Sequence, residues 1–177
     1  MKNYRVARRY ARALLEVAPR DQMERWGAEL EKLAQIVESP ELITKLTSPE
    51  LPQESREQAM QKIAERLDLS FPLRSFAVVL ARHGRIAEIG AVAESYRDLV
   101  DEQLGRERAV ITFAMQPDDT TVQRVVSGLE AIAGKKIIPT IKVDPALLGG
   151  VTAELGGKIY DGSLATRLAE AQRRLAG

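Results

Sequence analysis

The chain has 177 residues, of which 45% are apolar and 29% charged, with 26 basic residues against 25 acidic, a single histidine and no cysteine. That length fits one large domain or two small ones, and either buries a core. The composition excludes disulfides, thiolate metal sites and a cysteine nucleophile, and it argues against a histidine-based zinc site, a Ser-His-Asp triad, a membrane span of ~20 apolar residues and a general nucleic-acid binder.

From Ala7 to Leu104 the apolar spacing is helical almost throughout. Tyr4–Ala18 makes a first helix. After Asp21, the residues Met23, Trp26, Leu30, Leu33, Ile36 and Val37 fall on one face in steps of three and four. Asp21 with Glu24 predicts the start of that helix, because an Asp oxygen accepts early backbone N–H groups. Ser39-Pro40-Glu41 opens a short third helix, with Ser as cap and Pro in the first turn. Pro49 and Pro52 interrupt the pattern, and Ala59, Met60, Ile63 and Leu67 resume it. Pro72 precedes Phe76, Val79 and Leu80, and Gly84 suits a left-handed helix end. Ile86, Ile89, Val92, Tyr96, Leu99, Val100 and Leu104 form a last long stripe, ended by Gly105.

Beyond Gly105 the period changes. Ala109–Phe113 is β-prone. Pro117-Asp118-Asp119 opens a helix carrying Val122, Val125, Val126, Leu129 and Ile132, which Gly134 closes. Ile137–Val143 reads as a strand whose Pro139 suits an edge or a bulge. Gly156-Gly157 joins Val151–Leu155 to Lys158–Tyr160 as a two-residue hairpin. Ser163 then caps a final helix with Leu164, Leu168, Ala171 and Leu175. The expected fold is therefore mainly α: a six-helix bundle over residues 1–105, followed by a small α+β unit over residues 106–177. Residues 1–105 hold 16 basic and 17 acidic side chains and residues 106–177 hold 10 and 8, so charge is not segregated.

Enzyme motifs fail on inspection. Gly156-Gly157-Lys158 is no phosphate loop, since Thr152 and Ile159 stand where Gly and Ser/Thr are needed. Gly149-Gly150 lacks the dinucleotide spacing. Asp118-Asp119 is better explained by a helix start than by a metal or paired acids, and His83 by a helix end. No nucleophile, acid–base pair, metal site or cofactor motif stands out, and a non-enzyme without cofactor is expected.

The N-terminus is distinctive. Lys2, Arg5, Arg8, Arg9 and Arg12 precede the first acid, Glu16. A targeting peptide, a membrane-surface helix and a structural helix all fit Arg-rich, acid-poor sequence. Val6, Tyr10, Leu14 and Val17 make one stripe, with Ala7, Ala11, Leu15 and Ala18 beside it. This favours a structural helix with apolar surface left for a partner helix.

Ala7-Arg8-Arg9-Tyr10-Ala11-Arg12-Ala13-Leu14 resembles the opening of the F-type ATP synthase delta subunit family, called OSCP in mitochondria, which typically reads A-x-x-Y-A-[KR]-A. Val78 to Ile86 is similar to a helix end of that family, with His83 where Asn is usual. Leu148-Gly149-Gly150-Val151, Gly156, Asp161-Gly162-Ser163-Leu164 and Arg167-Leu168 resemble its most specific signature. The three stretches are in register over the whole chain.

The resemblance implies a non-catalytic subunit of the peripheral stalk, joining the catalytic head to the b subunits. It implies that the N-terminal domain binds N-terminal helical segments of the alpha subunits in a groove between its first and fifth helices. Carried onto this chain, the groove candidates are Tyr10, Ala13, Leu14 and Val17, with Phe76, Val79 and Leu80. The C-terminal unit is expected to meet the b subunits near Gly150 and Asp161, two residues for which turn or cap roles stand equally open. A bacterial protein at the cytoplasmic face of the inner membrane, reaching the membrane only through its partners, is expected. The alternative is a helical protein binding RNA or an anionic membrane through its basic first helix, a mode that salt weakens steeply.

Overall fold

The computed structural model of the chain describes residues 4–147 and 149–162. It divides into two compact units, Met1–Val100 and Asp101–Gly177. The chain is mainly helical, with one four-stranded sheet towards the C-terminus.

In the first unit, α1 (Tyr4–Val17) buries Ala7, Ala11 and Leu14, a stripe of mostly small residues that admits close helix approach. Helix α2 (Met23–Val37) buries Trp26, Leu30, Leu33 and Val37. It does not start at Asp21. The Gln22 N–H closes a turn on the Pro19 carbonyl at 2.9 Å, and Gln22 takes the cap position instead. Helix α3 (Pro40–Thr47) follows Ser39 as expected, but the serine side chain does not cap. Its carbonyl does the work, accepting from Leu42 and Ile43 at 3.1 and 2.9 Å. Helix α4 (Gln53–Arg66) buries Met60 and Ala64, and α5 (Phe71–Arg82) buries Leu73, Ala77, Leu80 and Ala81.

Helix α5 ends on Gly84, whose φ of +64° no β-carbon favours. The Gly84 N–H bonds the Ala81 carbonyl at 3.0 Å and the Arg85 N–H bonds the Leu80 carbonyl at 2.8 Å, the two bonds of a Schellman end. The long stripe from Ile86 is not one helix. A 3-10 turn (Ile86–Glu88) precedes α6 (Ile89–Gln103). Among the described residues the largest fully buried side chain is Tyr96, whose hydroxyl donates to the Met23 carbonyl at 3.3 Å. Burial pushes that phenol up to about 12.

The second unit begins in the last turn of α6. There Asp101, 5% exposed, accepts from Arg106 Nε and Nη2 at 3.1 and 2.8 Å and from Arg108 Nε at 2.6 Å. Strand β1 (Arg106–Phe113) extends three residues before the predicted run. Asp118 caps α7 (Asp119–Ala133), its carboxylate accepting the Thr121 N–H at 2.7 Å, and left-handed Gly134 ends it. Strands β2 (Lys136–Val143), β3 (Val151–Leu155) and β4 (Lys158–Asp161) complete a sheet ordered β2-β1-β3-β4.

Strand β1 pairs parallel with β2, as the intervening helix requires, and antiparallel with β3. Pro139 lies on the edge strand, where a missing N–H is tolerated. Gly156 and Gly157 have φ of +56° and +74°, as the two-residue β3–β4 hairpin demands. Alternate residues Ala109, Ile111 and Phe113 are buried with Leu129, Ile137, Ala153 and Leu155, and Val122, Val125 and Val126 of α7 pack over them. The helix expected from Ser163 onward lies outside the described residues.

Candidate functional site

On α1, Val6, Tyr10, Ala13 and Val17 recur at steps of four, three and four, so they form one stripe beside the buried one. Along α5, Pro72, Phe76 and Val79 recur in the same steps, and His83, which caps the helix, continues them. The two stripes meet at Tyr10 and Phe76, whose ring centroids are 6.3 Å apart at 72°, an edge-to-face contact. Both rings are half-buried, leaving surface to spare. Around them Val17 is 68% exposed, Val79 37% exposed, and Ala13 exposed.

The expected groove residues therefore separate into two groups. Tyr10 and Phe76 touch and form the accessible seam, while Ala13, Val17 and Val79 are exposed on the same two helices, Val79 also lining the depression between α4 and α5. Leu14 and Leu80 do not belong to that surface: at 3% and 0% exposure they are core residues beneath it. They sit one turn position away from Tyr10 and Phe76, towards the centre of the unit, so neither is free to touch a partner.

The electrostatics of the seam are one-sided. The Arg9 guanidinium carbon stands 5.8 Å from the centre of the Tyr10 ring, within cation–π reach. On the far edge of α5, Arg82 forks onto Glu57 through Nε at 3.2 Å and Nη2 at 2.9 Å. Those bonds hold the Glu57 carboxyl below, and the Arg82 guanidinium above, its ordinary value. Between α4 and α5 lies a depression of about 500 Å³, lined by Val79 and Phe71, the latter 80% exposed. Nothing in the apolar periodicity distinguished Phe71, because it precedes the helix's buried face.

In the second unit a depression of about 490 Å³ opens where β1 ends and α7 begins, lined by Phe113, Met115, Pro117, Val125, Gly150 and Val151 among others. Met115 is 75% exposed on it. Gly150 has φ +88° and its carbonyl accepts the Ala114 N–H at 3.4 Å, so it has a turn role whatever else it does. Asp161 is the last residue of β4, exposed and opposite Thr152. Gly150 lines the depression and Asp161 does not.

No group of three or more metal-ligating side chains occurs among the described residues, and none of their helices is long and apolar enough to cross a membrane.

The family model for the ATP synthase delta (OSCP) subunit matches residues 6–175. The "ATP synthase subunit delta" of Anaeromyxobacter sp. strain Fw109-5 is 37% identical over 172 residues, covering 96% of both chains. That of Desulfatibacillum aliphaticivorans is 32% identical over 170 residues, covering 95% of this chain and 93% of its own. Among solved structures, a chain of the Toxoplasma gondii mitochondrial ATP synthase hexamer has the same fold, with a TM-score of 0.65 at 22% identity and 97% of each chain covered. These matches favour the stalk reading over RNA or lipid binding by the basic helix. From end to end, in motif, order of elements and fold, the chain belongs to the ATP synthase delta (OSCP) subunit family.

Proposed function

We propose that this ATP synthase peripheral-stalk subunit works as a non-catalytic coupling between the catalytic head and the b subunits. Helices α1–α6 act as one six-helix bundle, residues 1–105, which receives the N-terminal helical segments of the alpha subunits along the Tyr10–Phe76 seam. Residues 106–177 meet the b subunits, with Gly150 and Asp161 on that side. The subunit then sits at the cytoplasmic face of a bacterial inner membrane, bound through its partners.

The observation that carries this reading is the edge-to-face contact of two half-buried rings on helices that also expose Val17 and Val79. Half-buried rings with apolar surface to spare are a poor solvent surface and a good anchor site for an amphipathic helix. A stator resists torque through a slow off-rate and needs no reactive group. A ~1 nM complex corresponds to about −12 kcal/mol. A few apolar anchors, each worth roughly 1.5–3 kcal/mol when buried, supply most of it before association costs.

The test is calorimetry of the full chain with a synthetic peptide from the N-terminus of the matching alpha subunit. Binding should persist at about 1 M salt, where charge effects are screened, with a negative heat-capacity change. Tyr10→Ala should weaken it by ~2 kcal/mol or more while helical circular dichroism is retained. Absence of binding to a matched peptide would sink the reading. Loss of helicity in the variant would make Tyr10 part of the core instead.

A further inference from the structure

Over the whole chain basic and acidic residues nearly balance. The two helices that carry the apolar seam do not share that balance. Helices α1 and α5 together hold six arginines and one carboxylate, Glu16. On α1 the imbalance lies along the outward edge of the seam. Arg5 and Arg9 are one turn apart, and Arg12 is three residues further. All three are exposed, and among the described residues no carboxylate pairs with any of them. Arg9 leans over Tyr10, which places this edge at the rim of the seam.

The arrangement is unfavourable in the isolated chain. Like charges three and four residues apart on a helix repel. Arg5 sits in the first turn, where the helix dipole is already positive and acids are preferred, yet that turn contains no acid. Glu16, four residues beyond Arg12, and the Tyr10 ring beside Arg9 offset these charges only in part. Tyr4, on the other side of α1, shows the contrast, since its hydroxyl is engaged by Glu94 at 3.3 Å.

We infer that the helix received by the seam is acidic along one edge, and that its carboxylates lie over Arg5, Arg9 and Arg12, on the N-terminal three turns of α1. This rests on the seam being the binding site for an alpha-subunit segment. Apolar anchors set the residence time; the arginine rim selects the partner and its register and speeds encounter. Glu16, at the other end of the same edge, rejects an acidic partner shifted towards the C-terminal end of α1.

The experiment uses the full chain and two synthetic peptides: the N-terminal segment of the matching alpha subunit, and the same segment with its Asp and Glu replaced by Asn and Gln. The variant Arg5→Gln/Arg9→Gln/Arg12→Gln alters exposed side chains only, and Trp26 fluorescence reports that the first unit remains folded. At about 0.1 M salt the unmodified peptide should bind the triple variant about tenfold more weakly than the wild-type chain. The neutralised peptide should bind both proteins alike, and at about 1 M salt the difference should vanish. Phe76→Ala tests the seam separately and should weaken both peptides equally.

Equal affinity of the unmodified peptide for wild type and triple variant overturns the inference, and does so with the seam intact if Phe76→Ala still weakens binding. Binding insensitive to Phe76→Ala removes the seam reading itself. An alpha segment with no acid on one edge overturns the inference directly. So does arginine-dependent binding to phosphatidylserine vesicles with no arginine effect on the peptide, which would assign the rim to a lipid surface.

Discussion

Glu29 should be the carboxylate on which the first unit's acid stability turns. It lies on α2, 7% exposed, and accepts the Ser70 N–H at 2.7 Å and Arg25 Nε at 2.9 Å. It thus covers the backbone donor that precedes α5. Burial pushes its carboxyl up, but the bonds from Ser70 and Arg25 outweigh burial and hold it below the usual 4.5. A hydrogen bond to a charged group contributes roughly 1.5–3 kcal/mol, and Arg25, 67% exposed, adds little to that. Glu29→Ala should therefore cost about 2–3 kcal/mol, and Glu29→Gln, which keeps an acceptor for Ser70, about 1 kcal/mol.

Because the folded carboxyl titrates lower than the unfolded one, its contribution is complete above about pH 4.5 and disappears as pH falls through the folded value. Between about pH 4.5 and that lower value the Gln variant should lose stability less steeply than wild type, by up to about 1.4 kcal/mol per pH unit. Urea unfolding followed by Trp26 fluorescence reads this cleanly. Trp26 is the chain's one tryptophan, 3% exposed, one turn before Glu29 on the same helix. Identical acid slopes and midpoints for wild type and Gln variant would refute the reasoning.

In the second unit, Asp101→Ala should cost about 2–3 kcal/mol, less than a fully buried pair, because Arg106 and Arg108 are 21% and 40% exposed and rehydrate in part. Hydrogen exchange of the β1 amides measures it, and unchanged protection would argue that the cluster is idle. Asp118→Ala should speed exchange of the Thr121 amide while Asp118→Asn preserves it. The bond from Thr121 holds the Asp118 carboxyl below its ordinary range, so wild-type protection should fade only as pH falls through that lowered value. Gly84→Ala meets open space but must hold φ +64°, so it should cost about 1 kcal/mol, and Gly84→Asn less; a neutral Gly84→Ala would mean the helix end rearranges.

What the sequence revealed depended on how local the cause was. The Asp118 cap, the Gly84 and Gly134 ends and the Gly156-Gly157 hairpin were legible because each is decided by its own few residues. Asp21 misled because the Pro19 turn consumes the residues that would have capped α2. The long stripe from Ile86 hid a break, since a 3-10 turn hardly disturbs an apolar pattern three residues long. In the candidate site, periodicity found two apolar stripes on α1 and the residues Phe76, Val79 and Leu80 on α5, but not which of them face inward. That choice is made by neighbouring helices, and it sent Leu14 and Leu80 inside and left Tyr10 and Phe76 at the surface. Glu29 was invisible for the same reason, its donor lying 41 positions away.

Glu29 and Asp101 are the two buried charged residues among those described, and both are committed to element ends. Glu29 holds the donor ahead of α5, and Asp101 ties the last turn of α6 to the first residues of β1. Desolvating a carboxylate costs more than an apolar contact of the same size would, so neither is the cheapest way to stabilise its unit. What such a carboxylate adds is direction: its acceptor geometry fixes where a helix starts or a strand leaves, whereas apolar packing tolerates sliding and rotation. A subunit that carries load between partners is limited by its softest joint, and element ends, with their unpaired backbone groups, are where local opening begins. Placing the buried charge at those joints suits a part whose task is to keep its shape under torque.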